Sequence, residues 1–537
     1  MDMNRRSALM LGATITAAVA LAPASAKSQR RDDPRINPVL FWNAVSLDLV
    51  ALDHSIDPMD ARAPGPCASA MALGIAHAVI ADAVCIAYPT NYKPQFYRGE
   101  ADFDIESPEL FVGGAAAGIL AHMFSAPIHA YTIGASRDEF QRIVGNNAGK
   151  DWQAGLAFSA SPHFRELWNW DEIQIITLPQ FSAYIPRPRR HHSDPYNAGQ
   201  GNYGTDWGVH RPLVLDGPRQ VAHLAPGAPP PEGSPEYEHD LAEVRVKGAL
   251  VSKGGGRFSA RTPTETNIGL FWAYDGARLL GTPPRLYNQI LRKIAIDDEM
   301  DVREMARLFA LCNLAMADAG IVAWWAKYKY QVWRPVIGIQ NHTRLPEPGW
   351  QPLGSPKTNP TRFALGLDMQ MRDTAQALMG GGASTLAWQL RQDEYRNAGT
   401  HRRRGESQYR DAAFTPNFPA YPSGHATFGS ACFNALKLVR HERAPTRHDP
   451  DRISGPFVSD ELNGISIDHF HDEPRPYFPI HYESIDDMIV DNDLSRIYLG
   501  VHWRFDCNRG SESGRHIASA VHERAYILDD GPYHRGH

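Results

Sequence analysis

The chain has 537 residues, which is long enough for two core-bearing units or one large composite domain. Hydrophobic residues make up 43% of it and charged residues 21%, which argues against a fibrous or disordered chain. A net charge of −6 argues against a chain-wide nucleic-acid surface, so positive charge for any anion site must be gathered locally.

The first residues have the pattern of an export signal. Arg5-Arg6 precedes a mildly apolar stretch, and Ala24-Ser25-Ala26 follows as a small-residue cleavage site. The arginine pair favours the twin-arginine route, although Ala8 stands where an aromatic is usual and ordinary secretion stays open. We predict a signal peptide over 1–26 and a soluble protein that is periplasmic or secreted. No later segment approaches about 20 consecutive apolar residues, so we expect no membrane span after cleavage.

The mature chain is predicted to be mainly α, with two helical bundles packed together and long irregular loops. We divide it into an N-terminal helical region, 27–300, and a C-terminal helical region, 301–537. Alternating strand patterns are few, and the stretch 159–267 is predicted to be irregular. Apolar residues recur at helical spacing over Met71–Tyr88, Pro108–Phe124, Arg137–Val144, Val302–Tyr330, Thr361–Met379, Ser423–Arg440 and Gly514–Ile527.

The five cysteines show no CxxC spacing and mostly stand among apolar neighbours. They are predicted to be core residues, and one or two disulfides stay open.

The first of three motifs is Lys327 followed by Arg334-Pro335. The helix predicted from about Val302 should end near here, because a proline disfavours helical geometry in the residue before it. Alone, a lysine and an arginine at a helix end are typical of a solvated face.

The second motif is Tyr421-Pro422-Ser423-Gly424-His425, directly before a helical run. Ser423 is a predicted N-cap, and the unpaired N–H groups of a helix start suit an oxyanion. Gly424 permits close approach, and His425 would lie beside the bound group. In isolation, the motif is more typical of a helix start with an incidental histidine.

The third motif is Ser495-Arg496, then His502, then Asp506. Asp506 would accept from one ring nitrogen of His502 and leave the other nitrogen for a metal or reacting centre. Alone, this pattern is also typical of a surface ion pair.

Together the three motifs supply two arginines, one lysine, two histidines, a hydroxyl and a glycine N–H. Arginine binds tetrahedral oxyanions through paired hydrogen bonds, so the set indicates a site for a highly charged oxyanion. A purely oxyanion-binding exported protein is disfavoured, since simple binding needs neither an acid–base histidine nor an axial ligand.

The motifs resemble the signature shared by vanadium-dependent haloperoxidases and the type 2 phosphatidic acid phosphatase superfamily. The resemblance implies a helical fold with two four-helix bundles and a vanadate cofactor. It also implies that His502 is the metal ligand, that His425 is the acid–base residue and that Lys327 polarises peroxide. Vanadate oxygens would be bound by Lys327, Arg334, Ser423, Gly424 and Arg496.

The flanking residues resemble the chloroperoxidase branch, in which a phenylalanine and a tryptophan flank the halide. Phe418 and Trp324 match those two positions, although core packing would also explain them. An aspartate that pairs with a cage arginine in the family is matched by Asp275. The implied reactants are hydrogen peroxide, chloride or bromide, and a small organic acceptor. An exported acid phosphatase that hydrolyses phosphomonoesters is the alternative.

Overall fold

The structure is a computed structural model. It describes residues 37–54, 61–100, 102–145, 149–168, 203–250, 259–275, 280–354, 361–363, 416, 418–443, 449–464, 466–468, 473–474 and 476–529. The predicted signal peptide lies outside these residues. So does the predicted helix Thr361–Met379 after its first three residues.

The first half of the described chain is helical. Its α-helices are α1 Pro38–Asp53, α2 Gly65–Ala87, α3 Pro108–Met123, α4 Pro127–Val144, α5 Gly149–Ser159, α6 Pro162–Arg165, α7 Gly217–Leu224, α8 Pro235–Lys247, α9 Pro263–Phe271 and α10 Pro283–Asp297. Short 3₁₀ turns lie at Glu166–Trp168 and Trp207–Val209.

The second half carries the longest helix. Its α-helices are α11 Val302–Tyr330, α12 Pro335–Gln340, α13 Gly424–Arg443, α14 Ile485–Tyr498 and α15 Arg504–His522. Its strands are β1 Thr361–Phe363, β2 Pro456–Phe457, β3 Ser466–Asp468, β4 Glu473–Pro474 and β5 Ile480–His481. The strands form two small antiparallel sheets, ordered β1-β3-β4 and β2-β5, and a 3₁₀ turn lies at Asp460–Leu462.

The predicted mainly α fold is confirmed. Helices α1 to α5 pack with one another, while α13 packs against α11, α14 and α15. Helix α11 also packs along α2, so it joins the two groups. One continuous apolar core, from Val39 in α1 to Tyr526 after α15, runs through both.

Two sequence predictions about secondary structure were wrong. The stretch 159–267 is not simply irregular, because α7, α8 and the start of α9 lie in it. Each of these helices has a proline in its first turn, and Ser234 and Thr262 cap α8 and α9. Proline is favoured at that position, so prolines that suggested loops instead mark helix starts. Thr361–Phe363 was predicted to be helical but is a strand paired with β3.

Helix α11 positions the first motif. Asp301 and Glu304 form a capping box at its start, and Gln331 ends it in a left-handed conformation with φ 52°. The helix therefore stops after Lys327, and Arg334 stands at the N-cap of α12. Lys327 and Arg334 thus reach the site from two different helices.

Two stretches, Gly65–Ala87 and Val302–Gln340, are long and apolar enough to cross a membrane. Within the protein, 83% and 94% of their most apolar windows are buried. Burial to this extent is typical of helices in a protein core.

Helix α15 packs closely against α13 at Gly510 and Gly514, which have no side chain to separate the two helices. A Cβ at Gly514 would lie 2.5 Å from the Thr427 carbonyl oxygen and 2.8 Å from the Ala431 nitrogen. Both atoms belong to the backbone of α13, so they cannot move aside as a flexible side chain would.

We predict that Gly514→Ala lowers the free energy of unfolding by roughly 1–3 kcal/mol, because the added methyl overpacks the interface. The matched control is Gly134→Ala in α4, where a Cβ would meet nothing within 4 Å. That change should raise stability by about 0.5–1 kcal/mol, because alanine costs less backbone entropy in a helix. Urea unfolding followed by circular dichroism measures both. Equal effects would contradict the close helix contact.

Candidate oxyanion-binding active site

The three motifs converge at one end of the second helical group. A cavity of about 190 Å³ lies there, between the aromatic end of α11 and the starts of α13 and α15. The predicted site residues that line it are Trp324, Arg334, Phe418, Gly424, His425, Arg496 and His502, and Asp275 lines it as well.

His502 is held by Asp506, as the sequence predicted. The ring Nδ1 lies 2.9 Å from Asp506 Oδ2, which also accepts from the Trp503 N–H at 3.0 Å. Because a carboxylate accepts, Nδ1 carries the proton and Nε2 keeps its lone pair. Burial and the nearby Arg334 lower the pKa of His502 well below its usual value. Burial raises the pKa of Asp506 to about 7.

The two arginines are fully buried at 0% exposure, and each leaves a donor unused. Arg334 Nη1 donates to His502 Nε2 at 2.8 Å and to the Val501 carbonyl at 2.9 Å. Arg334 Nη2 and Arg496 Nε are buried without a hydrogen-bond partner among the described residues. Burial lowers the pKa of Arg334 to about 9.

Asp275 pairs with a cage arginine, as the resemblance implied. Its Oδ1 accepts from Arg496 Nη2 at 2.7 Å and lies 3.8 Å from His425 Nε2. The preceding residue, Tyr274, is fully buried with a positive φ of 36°, a strained conformation for a non-glycine residue. Its hydroxyl donates to Gln289 at 2.9 Å and accepts from the Asp460 N–H at 3.0 Å, which fixes this turn.

His425 lies on the first turn of α13. Its Nε2 donates to the Ala273 carbonyl at 2.7 Å, so Nδ1 is the basic nitrogen. Burial and the nearby Arg496 lower the pKa of His425 well below its usual value. The ring is therefore neutral near pH 7, which an acid–base residue needs before it can accept a proton.

Lys327 and Ser423 adjoin the cavity but are not among its lining residues. The Lys327 ammonium donates to the carbonyls of Pro419 and Ala420 at 2.8 and 2.9 Å, and also to that of Pro422. Burial and the nearby Arg334 lower its pKa well below the usual value. Ser423 Oγ accepts from the Ala426 N–H at 3.3 Å, which confirms the predicted N-cap. The cofactor-binding roles of both residues stay predictions.

Trp324 and Phe418 lie together, as the resemblance implied for a halide site. Their ring centroids are 4.8 Å apart. The Lys327 ammonium lies 5.3 and 5.2 Å from the two centroids, and the Arg334 guanidinium lies 5.0 Å from that of Phe418. Positive charge therefore borders this aromatic pair.

Other lining residues were not predicted from the sequence. Tyr203 and His54 come from segments far apart in the chain, and their neighbouring residues carry no motif, so only the helix packing brings them to the cavity. Phe428 lies one turn after His425 on α13.

A tetrahedral oxyanion fits the residues that are present. Two buried guanidinium donors have no partner among the described residues, the Gly424 end of α13 opens on the cavity, and His502 Nε2 has a lone pair. No group of three or more histidine, cysteine or acidic side chains in the described residues is arranged to hold a metal ion. The donors that are present suit an anion, and His502 Nε2 is available as a ligand.

All five cysteines are unpaired, and Cys67, Cys312, Cys432 and Cys507 are buried. The prediction that most of them are core residues is confirmed.

Fold and site together define a helical protein with a buried cavity lined by arginines and histidines. A family profile described as "VCPO second helical-bundle domain" matches residues 307–530. The vanadium chloroperoxidase of Curvularia inaequalis is 29% identical, over 89% of this chain and 80% of that protein.

Solved structures show the same fold. A bacterial vanadium-dependent iodoperoxidase matches with a TM-score of 0.60 and 19% identity, over 90% of this chain and 96% of its own. A holo-type bacterial vanadium-dependent chloroperoxidase matches with a TM-score of 0.52 and 16% identity, over 87% and 94%. The resemblance predicted from the motifs is confirmed: the chain is similar to vanadium-dependent haloperoxidases in sequence and in fold.

We predict that Asp506→Asn weakens orthovanadate binding by about 10–100-fold, the usual cost of losing the group that orients a ligating histidine. An amide can donate to Nδ1, which would move the ring proton to Nε2 and remove the lone pair there. Isothermal titration with orthovanadate measures the affinity. Asp240→Asn is the control, because Asp240 accepts from the Phe505 N–H at 2.7 Å without contacting His502. Unchanged binding by Asp506→Asn would contradict this role.

Proposed function

We propose that the protein is a vanadium-dependent haloperoxidase that oxidises chloride or bromide with hydrogen peroxide to hypohalous acid. The observation that carries this proposal is the convergence of His502 Nε2 with two buried arginine donors, which have no partner in the described part of the chain, beside an aromatic pair. Its relationship to the vanadium haloperoxidases supports it. The proposed export of the chain rests only on its N-terminal sequence.

Arg334, Arg496 and the Gly424 N–H would hold the oxygens of vanadate, with Lys327 and Ser423 close by. His502 Nε2 would be its ligand, which requires Arg334 to release the hydrogen bond that it now makes there. When bound, vanadate supplies a Lewis-acid centre that stays vanadium(V) and activates peroxide toward halide.

Side chains of the protein transfer the proton and stabilise the charges that form during the reaction. His425 Nδ1 takes a proton from incoming peroxide and returns it to the leaving oxygen, while Nε2–H stays anchored on the Ala273 carbonyl. Asp275 keeps Arg496 in place and favours the transient imidazolium of His425, from which it lies 3.8 Å away. The buried cations stabilise negative charge on the reacting oxygens.

The competing function is acid phosphatase activity in the same cage. Phosphate and vanadate are both tetrahedral oxyanions, so the cage alone does not separate the two. The aromatic pair, Trp324 and Phe418, favours halide chemistry, because it matches the two residues that flank the halide in the chloroperoxidase branch.

Three assays on the purified protein test the function. We expect halogenation of a reporter with peroxide, halide and orthovanadate, inhibition of that halogenation by excess phosphate, and little hydrolysis of p-nitrophenyl phosphate without vanadate. Rapid phosphate hydrolysis without vanadate-dependent halogenation would contradict the proposal and favour the phosphatase.

Two variants separate binding from turnover. His502→Ala should abolish orthovanadate binding, whereas His425→Ala should keep binding and lose about 10²–10⁴-fold in kcat, the usual contribution of an acid–base group. His516→Ala, an exposed histidine on α15, is the control and should change neither quantity. Tight orthovanadate binding by His502→Ala would show that the ligand assignment is wrong.

A further inference from the structure

The segment 271–275, which continues from α9, reaches the proposed active site at two of its residues. The Ala273 carbonyl accepts from His425 Nε2 at 2.7 Å, and Asp275 Oδ1 accepts from Arg496 Nη2 at 2.7 Å. The first contact orients the proposed acid–base residue, and the second orients a proposed donor to the oxyanion. The placement of this one segment therefore affects proton transfer and anion binding together.

Tyr274 stands between these two contacts and has a positive φ of 36°. A residue with a side chain adopts such a conformation rarely, and keeps it only where its surroundings hold it there. The turn brings two groups to one nitrogen, since His425 Nε2 lies 2.7 Å from the Ala273 carbonyl and 3.8 Å from Asp275 Oδ1. Whatever holds the turn therefore also holds both contacts.

The Tyr274 hydroxyl holds the turn from outside the cavity. It donates to Gln289 Oε1 at 2.9 Å and accepts from the Asp460 N–H at 3.0 Å. Gln289 lies on α10 and donates to Asp460 Oδ2 at 3.1 Å, so the three residues form a closed ring of hydrogen bonds. Asp460 Oδ2 also accepts from Arg285, one turn earlier on α10. None of these three partners of the turn lines the cavity.

The start of the segment is held separately. Ser459 Oγ donates to the Phe271 carbonyl at 2.6 Å, and Trp272 Nε1 donates to the Tyr482 hydroxyl at 3.0 Å. These bonds fix residues 271 and 272, whereas the Tyr274 hydroxyl acts next to the two residues that contact the active site. Loss of that hydroxyl should therefore loosen the active-site contacts while the rest of the segment stays in place.

We propose that Tyr274 is a positioning residue for the reaction. Its hydroxyl holds the Ala273 carbonyl against His425, and it holds the carboxylate of the next residue against Arg496. This inference rests on the proposed function, because the proton transfer that it assists is the one in halide oxidation. Burial raises the pKa of Tyr274 well above its usual value, so the hydroxyl stays protonated and keeps its donor.

A second tyrosine provides a matched control. Tyr526 is 1% exposed and has a positive φ of 49°. Its hydroxyl lies 3.0 Å from the Ala78 carbonyl and 2.8 Å from Asp82 Oδ1. Neither partner lines the cavity. Tyr526→Phe thus removes a buried, doubly bonded hydroxyl from a strained tyrosine without touching the active site, which is the effect of a purely structural role.

Anion affinity is measured first, on the protein without vanadate. Calorimetric titration with orthovanadate should show an affinity about tenfold lower in Tyr274→Phe, near the lower end of the usual 10–100-fold cost of losing a group that orients a ligand. Urea unfolding should show lower midpoints for both Tyr274→Phe and Tyr526→Phe, whereas Tyr526→Phe should bind orthovanadate as the wild type does. Wild-type affinity in Tyr274→Phe would overturn the link to Arg496.

Turnover is measured next, on the vanadate-loaded enzyme. Tyr274→Phe should lower kcat by about 10–100-fold and leave the KM for bromide unchanged, because a misplacement of about 1 Å can cost 10²-fold in rate. In the His425→Ala background, Tyr274→Phe should lower kcat little further, since residues that act as a unit are not additive. Gln289→Leu removes the acceptor of the same hydroxyl, should lower kcat as well, and replaces Tyr274→Phe if that variant does not fold.

The outcomes separate this inference from the proposed function. A wild-type kcat in Tyr274→Phe or in its replacement, or an equal loss of kcat in Tyr526→Phe, would overturn the positioning role and leave the proposed function intact. A full additional loss of kcat in the His425→Ala background would show that Tyr274 does not act through His425. Absence of vanadate-dependent halogenation by the wild type would instead overturn the proposed function, and the positioning role with it.

Discussion

The buried positive charge of Arg334, Arg496 and Lys327 is the constraint on which the rest of the site depends. All three side chains are 0% exposed, and removing a cation from water costs several kcal/mol even after relaxation. Two carboxylates, Asp275 and Asp506, compensate only part of this charge. Burial of these cations also lowers the pKa values of Lys327 and Arg334. An anion in the cavity would favour the charged forms of both side chains and so raise these pKa values again.

The fold offsets this desolvation free energy by holding the three cations on helices, where hydrogen bonds fix their positions. Lys327 is placed by the last turns of α11 and donates to three backbone carbonyls, while Arg496 is fixed near the end of α14 by Asp275. Helix α15 lies close against α13, since Gly514 removes the side chain that would separate them. The His502–Asp506 pair and the Gly424 end of α13 therefore meet at a fixed spacing. Such preorganisation is what electrostatic stabilisation of a reacting oxyanion requires.

Much of the site was predictable because its chemistry is local in sequence. A serine before a glycine at a helix start predicted the N-cap of α13. The spacing of His502 and Asp506 predicted their hydrogen bond. The pairing of Asp275 with Arg496 was predictable only through resemblance, since 221 residues separate the two. That the three motifs meet at one cavity could be seen only in the folded structure, because the motifs lie on different helices.

Other features were beyond sequence reasoning for physical reasons. Helices α7 and α8 begin with prolines, so a composition typical of loops concealed them. Tyr203 lies at the cavity because its segment is hydrogen-bonded to α11, where the Tyr328 hydroxyl donates to the Tyr203 carbonyl. The strained φ of Tyr274 is likewise set by contacts with Gln289 and Asp460, distant residues that no local pattern marks.

The central claim is that this cage binds vanadate through His502 Nε2 and the two buried arginines. A crystal structure of the protein soaked with orthovanadate tests it most directly. The account predicts density for a tetrahedral or five-coordinate vanadium centre bonded to His502 Nε2, with Arg334 and Arg496 donating to its oxygens. Full occupancy of orthovanadate elsewhere, with Arg334 still donating to His502 Nε2, would contradict the account.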